Sequence, residues 1–283
     1  MSKKIFALVD GSAYSESVCH HIAWIAGRIG ASVDLYHVLG RRDGGSEDLS
    51  GNLRLGARSK IMGELAELDA QRAKLAQAQG RAILEDAQAL IEKDGVAEVH
   101  PHLRLGDMVE TVETMEGDAD LVVIGKRGEK ADFAKKHLGS NLERVARATT
   151  KPVFVANREF QPIEKVLIAF DGGTSAMKAV DYVAKHPLFA GLACTVVTVG
   201  KPSDAVAKGL EDAKATLAAG GHAAEVKVVE GQPEVALADL IEADGHDMLV
   251  MGAYGHSRIR AMIIGSTTTA MIRTCKVPVL LMK

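Results

Sequence analysis

One pattern of apolar run, glycine turn and helix occurs twice along the chain, and this repeat limits the fold more than any other feature. The first copy ends its opening apolar run at Asp10-Gly11, and the second ends its run at Asp171-Gly172. Short apolar runs that end in Asp-Gly are typical of a buried parallel strand and its exit turn. Helical spacing and further apolar runs follow in both copies, so the sequence predicts two similar α/β units.

A glycine motif follows the fourth apolar run of each copy. Its residues are Gly252, Gly255, Gly265 and Ser266 in the second copy, and Gly125, Gly128, Gly139 and Ser140 in the first. Nine residues separate the second and third glycines in the second copy, and ten separate them in the first. Glycines spaced in this way between a buried strand and a helix N-terminus suit a loop that binds phosphate. The alternative is that they are turn or cap glycines that bind no ligand.

The alternation of strands and helices predicts the fold class of each half. We expect two tandem doubly wound α/β domains, each a five-stranded parallel sheet of order 3-2-1-4-5 flanked by helices. In this order the first and fourth strands are neighbours, so Asp171 would meet the glycines of its own half. Ligands of doubly wound sheets bind at the carboxyl ends of the strands at such a point.

The domain boundaries follow from the repeat and from a short polar linker that contains a proline. We predict a first domain over residues 1–157, with a helical insertion at about 41–95, and a second domain over 163–283. The insertion is rich in Ala, Leu, Glu and Gln, which favours an exposed helix or helical hairpin. Four of its apolar positions also suit contact with a partner protein: Leu65, Leu68, Leu75 and Ala76.

Composition excludes several classes of protein. A net charge of −3 and a pI near 6.4 give no basic signal for nucleic acid or a membrane surface. No apolar run has the length of a membrane span. Cys19, Cys194 and Cys275 are scattered and lack metal-ligand spacing, so we expect reduced thiols in a cytoplasmic protein.

The aspartate after the first strand, the spacing G-x2-G-x9-G-S/T after the fourth and a closing Pro-Val strand together resemble the universal stress protein family, here as a tandem pair. The family resemblance implies an adenine nucleotide α-hydrolase-like fold and an adenine-nucleotide site. For the second half it implies these site residues: Asp171 at the adenosine, Val197 and Val199 at the adenine edge, and Gly252, Gly255, Gly265, Ser266 and Thr267 at the phosphates. A weaker site in the first half would use Asp10, Gly125, Gly128, Gly139 and Ser140.

The resemblance also implies a function in stress response. We expect ATP, with or without Mg²⁺, to bind mainly in the second half, with slow hydrolysis or none. No catalytic residue and no metal ligand is predicted, because Walker, Rossmann and hydrolase motifs are all missing. Single-domain members of the family pair through their last strands, so residues 153–156 and 277–282 are the expected seam of an intramolecular pseudo-dimer. A homo-oligomer of the whole chain remains open, and no nucleic acid or membrane partner is expected.

Two other functions compete with this interpretation. One is a nucleotide-free scaffold whose first-half helical insertion docks a partner, which the absence of co-purified nucleotide would favour. The other is an adenine-nucleotide hydrolase, which would normally have an S-G-G-x-D-S loop after the first strand. Neither Asp10-Gly-Ser-Ala nor Asp171-Gly-Gly-Thr supplies that loop.

Overall fold

The computed structural model describes residues 3–40, 58–126, 140–253 and 266–283, and their strands form one ten-stranded sheet. The strands are β1 Lys3–Leu8, β2 Ala31–Leu39, β3 Val99–Leu105, β4 Leu121–Gly125, β5 Val153–Ala156, β6 Lys165–Ala169, β7 Ala193–Val199, β8 Ala224–Val229, β9 Met248–Gly252 and β10 Val279–Met282. Their order across the sheet is β3-β2-β1-β4-β5-β10-β9-β6-β7-β8. Each half therefore contributes five neighbouring strands.

Helices connect consecutive strands within each half. They are α1 Ser15–Ile29, α2 Arg58–Lys93, α3 Met108–Met115, α4 Ser140–Ala148, α5 Thr174–Lys185, α6 Asp204–Ala219, α7 Pro233–Asp244 and α8 Ser266–Thr274, with a short 3₁₀ helix at Pro187–Phe189. The α/β class with helix-flanked parallel strands is confirmed, since all pairings within each half are parallel. The apolar run of the third strand opens at Val96, and β3 itself begins at Val99.

Side chains of the sheet point alternately to two hydrophobic cores, as the pleat requires. On β1, Ile5 and Ala7 enter the core formed with α1, α2, α5 and α6. Phe6 and Leu8 enter the opposite core, which holds residues of α3, α4, α7 and α8. Both faces of the sheet are thus covered, which explains why the central strands are apolar throughout.

The two halves meet at an antiparallel pair formed by their last strands. Phe154 of β5 lies opposite Leu280 of β10, and both side chains are fully buried. This is the only antiparallel pairing among the described strands, and it joins two parallel sheets into one. The expected intramolecular pairing through residues 153–156 and 277–282 is therefore observed.

Candidate functional site

The carboxyl ends of three neighbouring strands bring together three of the predicted ligand residues of the second half. In the sheet, β6 lies between β7 and β9. Asp171 follows β6, and it is flanked by Val199 at the end of β7 and Gly252 at the end of β9. This is the topological switch point at which doubly wound sheets bind their ligands.

Asp171 forms a tight turn that starts helix α5. Its Oδ1 accepts a hydrogen bond of 2.8 Å from the Gly173 amide, and its side chain is exposed. Gly172 has φ of 79°, a left-handed conformation that glycine adopts without strain. A Cβ on Gly172 would also lie 2.9 Å from Val206 of α6, so the turn fits closely under that helix. The turn chemistry alone explains Asp171-Gly172, and the exposure of the carboxylate leaves it accessible to a ligand.

Gly252 is the point at which β9 approaches the first turn of α5. A Cβ at this position would lie 2.5 Å from Ser175 Oγ and 3.2 Å from the Ala176 amide nitrogen. Close packing therefore accounts for this glycine whether or not phosphate binds. The same close approach brings the end of β9 against the turn that carries Asp171.

Helix α8 starts beside Gly252. The Thr268 hydroxyl, in the first turn of α8, donates to the Gly252 carbonyl oxygen at 3.4 Å. Ser266 is the first residue of this helix, and Thr267 is half-buried. The first amides of a helix have no partner within it, and together with the helix dipole they favour an anion at this end.

Val197 and Val199 of β7 differ in how accessible they are to a ligand. Val197 is buried, and its carbonyl oxygen accepts a hydrogen bond of 2.8 Å from the Phe170 amide. Val199 is half-buried at the end of the strand, followed by Gly200 with φ of 88°. The end of the strand at Val199 is therefore the better position for contact with a ligand.

The turn of the first half closely resembles that of the second, but its aspartate is less exposed. Asp10 is only half-exposed, and its Oδ1 accepts hydrogen bonds from the Ser12 amide at 3.0 Å and the Ser15 hydroxyl at 3.3 Å. Gly11 has φ of 73°, and a Cβ there would lie 2.6 Å from Ile83 of α2. Asp10 is thus less exposed than Asp171.

The residue beside this turn on the second strand also differs between the halves. His37 Nδ1 donates to the Val9 carbonyl oxygen at 2.9 Å, whereas the Thr198 hydroxyl donates to the Phe170 carbonyl oxygen at 2.7 Å. Both bonds fix the second strand to the residue before the aspartate.

The remaining predicted residues belong to the two glycine loops. Gly125 ends β4, and Ser140 begins α4. Four glycines lie outside the described residues: Gly128, Gly139, Gly255 and Gly265. In the second half the structure places Asp171, the ends of β7 and β9 and the start of α8 at one edge of the sheet. The two glycine loops stay predictions.

Comparison with known proteins decides the family. The family model for the universal stress protein family matches residues 1–157 and again residues 162–283. A universal stress protein of Synechocystis sp. is 35% identical over 98% of this chain and 99% of its own length.

The chain belongs to the universal stress protein family.

A solved structure that covers the whole chain shows the same fold. A universal stress protein from Archaeoglobus fulgidus superposes with a TM-score of 0.72 at 21% identity, covering 100% of this chain and 97% of its own. A universal stress protein solved in complex with cAMP is 27% identical, covers 44% of this chain and 98% of its own, and has a TM-score of 0.38. The tandem arrangement predicted from the repeat is confirmed by the double family match.

Side chains that cross the seam were missed at the sequence level. Lys126, directly after Gly125, donates from Nζ to the Cys275 carbonyl oxygen at 2.5 Å, at the carboxyl end of α8. Lys283 of the second half donates from Nζ to the carbonyl oxygens of Arg147 and Thr149 in the first half, at the carboxyl end of α4. A cation at a helix C-terminus is favourable. Each universal stress domain thus caps the last helix of the other.

Burial explains the ionisation of Lys283 and of the cysteines. Desolvation lowers the pKa of Lys283, and Glu116 opposes this shift. All three cysteines are buried free thiols, as expected, and burial raises the pKa of Cys19 to about 12 and that of Cys194 to about 11. Thiols with such values stay protonated at neutral pH and are poor nucleophiles.

Neither a metal cage nor a membrane span occurs in the part of the chain that the structure describes. No group of three His, Cys, Asp or Glu side chains there is placed to hold a metal ion. Among the same residues, no helix has both the length and the apolarity that crossing a membrane requires.

Proposed function

We propose that this universal stress protein binds ATP in its second half and responds to stress through the nucleotide-bound state, with slow hydrolysis or none. The observation that carries the proposal is the exposed Asp171 carboxylate, held between the strand ends at Val199 and Gly252. The start of α8 lies at the same edge, tied to Gly252 by Thr268. A carboxylate for the ribose and a helix N-terminus for the phosphates are the groups that a nucleotide needs.

The roles follow from position along this edge. Asp171 accepts hydrogen bonds from ribose hydroxyls, and the backbone at Val199 meets the adenine edge. The amides and hydroxyls of Ser266 and Thr267 bind phosphate, and Gly255 and Gly265 let the chain approach it. Gly252 acts indirectly, because its lack of a side chain allows β9 to pack against Ser175.

The first half is the weaker site in this proposal. Asp10 is half-buried whereas Asp171 is exposed, and His37 stands where the second half has Thr198. The extra residue between Gly128 and Gly139 also changes the loop length. These three differences support unequal affinities.

Mg²⁺ would bind with the nucleotide, held by phosphate oxygens and water, since it rarely needs a cage made of protein alone. We propose two domains, 1–157 and 163–283, that act in the cytoplasm as one intramolecular pseudo-dimer. The buried, protonated thiols suit a reducing compartment.

Calorimetric titration of the full-length protein with ATP and GTP tests the proposal. We expect ATP to bind with about one dominant site per chain and GTP to bind at least tenfold more weakly. Absence of binding heat with ATP, or equal affinity for both nucleotides, would overturn it. Release of phosphate well above about 0.1 per second, which is slow for an enzyme, would instead support the hydrolase alternative.

A further inference from the structure

The linker between the halves, residues 157–162, covers one face of α1. The ring of Phe160 in this linker lies 5.0 Å from the ring of His21 and 5.9 Å from that of His20. His21 is fully buried between Phe160 and Phe154. Ser17, one turn earlier on the same side of α1, is also buried. An aromatic side chain from a polar segment thus packs on this face of the first half.

Helix α5 is the counterpart of α1 in the second half. Each helix follows the turn that carries the aspartate, and Tyr182 and His21 both lie eleven residues after that aspartate. Burial supports the correspondence, because the next residues, Val183 and Ile22, are both fully buried. Tyr182 therefore marks the position on α5 that Phe160 covers on α1.

A cleft lies at Tyr182. It has a volume of about 390 Å³ and is lined by Lys178, Asp181, Tyr182, Lys185, His186 and Met282. The rings that pack on Tyr182 are those of His186 and Phe189, which belong to the segment directly after α5. Among the described residues, no aromatic side chain from a separate segment covers Tyr182 as Phe160 covers His21. Because pockets for small ligands begin at about 300 Å³, the cleft has room for one aromatic side chain.

The seam places the cleft and the position of Phe160 in corresponding parts of the two halves. Strands β5 and β10 pair in antiparallel orientation, with Phe154 opposite Leu280. Met282 ends β10 and lines the cleft. Its counterpart Ala156 ends β5, four residues before Phe160. What the first half accepts beside its seam strand therefore indicates what the second-half cleft can accept.

The lining residues also give the cleft a positive charge. Lys178 and Lys185 are exposed, and Asp181 forms an ion pair of 3.1 Å with Lys185. Burial, followed by the charge of Lys3, lowers the pKa of His186 to about 4 against the opposing effect of Asp120, so this ring is neutral at neutral pH. Two lysines and one aspartate leave one positive charge, which favours an acidic occupant.

We propose that this cleft binds an aromatic side chain from an acidic, extended segment of another protein. The aromatic ring packs on Tyr182 beside Met282, as the ring of Phe160 packs on His21 in the first half. An acidic residue next to the aromatic one pairs with Lys178, and Glu159 precedes Phe160 in the same way in the linker. The partner thus supplies from outside the covering that the linker supplies within the chain.

Fluorescence anisotropy of the full-length protein with a labelled peptide tests the proposal. The probe is Asn-Glu-Glu-Phe-Gln-Pro, which is the linker sequence with the change Arg158→Glu. We expect it to bind with a dissociation constant below about 1 mM. The same peptide with serine in place of phenylalanine, and N-acetylphenylalanine used as a competitor, should each bind at least tenfold more weakly. Absence of binding by the probe, or equal binding by either control compound, would overturn the proposal.

A matched pair of charge variants tests where the peptide binds. Lys178→Glu should raise the dissociation constant of the probe at least fivefold, because it reverses the charge that attracts the acidic residue. Lys208→Glu changes an exposed lysine of α6 outside the cleft and should alter the constant less than twofold. Equal losses in the two variants would overturn the assignment to the cleft.

Methyl NMR locates the peptide without a substitution in the cleft. The methyl signal of Met282 should shift during the titration, whereas that of Met271, in the core on the opposite side of the sheet, should stay in place. A shift of Met271 without one of Met282 would contradict the proposal. These titrations contain no ATP, so failure of the nucleotide proposal would leave their result unaffected.

Discussion

The two halves share the turn that carries the aspartate and differ in the helix that packs over it. Gly11 and Gly172 have nearly the same left-handed φ, 73° and 79°, and each lies against the helix that follows the second strand. That helix is α6 with 16 residues in the second half and α2 with 36 in the first. Packing therefore preserves the part of each helix that lies over its turn. The additional, exposed turns of α2 are not constrained by that packing.

The largest expected effect tests whether the halves fold as one unit. Phe154→Ala should lower the free energy of unfolding by about 3–5 kcal/mol and Leu280→Ala by about 2–5 kcal/mol, because each empties a fully buried site at the seam. Trp24, the one tryptophan in the sequence, lies on α1 and reports on the first half. We expect Leu280→Ala, in the second half, to shift the urea transition of Trp24 fluorescence. An unshifted transition would mean that the halves unfold independently.

A second comparison concerns acid sensitivity. His21 is fully buried against Phe154 and Phe160, and desolvation lowers its pKa to about 4. Between pH 6.5 and 4 the unfolded chain therefore binds more protons than the folded chain does. The contribution of His21 to the free energy of unfolding is complete above pH 6.5 and falls by roughly 3 kcal/mol as the pH falls towards 4. Denaturation of His21→Leu across this range should show a much flatter pH dependence.

His186 provides the second-half counterpart of this test. Its pKa is also lowered to about 4, by burial first and then by Lys3, while Asp120 opposes the shift. The residue is only half-buried, so water screens its charge and His186→Leu should flatten the pH dependence less than His21→Leu does. A larger effect at His186 would reverse the comparison.

The two turns should respond alike to a matched change. Gly11→Ala and Gly172→Ala each force an L-residue into left-handed backbone, which costs about 1–2 kcal/mol, and each adds a close contact with Ile83 or Val206. Thermal unfolding of both variants should show similar losses of stability. A loss confined to one half would mean that the two turns are not equivalent.

The smallest expected effect comes from the lysines that cross the seam. Lys126→Met and Lys283→Met each remove a cation from the carboxyl end of the other half's last helix, worth about 0.3–1 kcal/mol. Lys151→Met, which removes a lysine that bonds within the first half only, is the matched control. Urea titrations of the two seam variants should show a loss that exceeds the control's.

Local sequence patterns were sufficient for the central strands, because a parallel strand buried on both faces is apolar at nearly every position. The edge strands β3 and β8 are partly exposed and carry polar residues. The pairing of the halves was expected from the family resemblance, and local patterns located the two strands that pair, since the closing Pro-Val runs end in β5 and β10. These patterns left open whether the insertion forms one helix or a helical hairpin, and the structure has one continuous helix, α2. Contacts of Lys126 and Lys283 join residues more than 130 positions apart, and no local pattern encodes such pairs.

The glycine motif shows the limit of residue-by-residue interpretation. Gly252 belongs to a spacing that predicts phosphate binding, yet its position against Ser175 requires a glycine for packing alone. Replacing it would disturb the start of α5 and any ligand at the same time. A test of the site therefore has to use a residue at the start of α8 instead.

The central claim is that the two halves offer unequal nucleotide sites, and one matched pair of variants tests it directly. Ser266→Asp and Ser140→Asp each place a carboxylate at the first residue of the last helix, where it favours the helix but repels phosphate. Calorimetry with ATP should show at least a tenfold loss of affinity in Ser266→Asp and little change in Ser140→Asp. Equal losses in the two variants, or a loss in Ser140→Asp alone, would contradict the account.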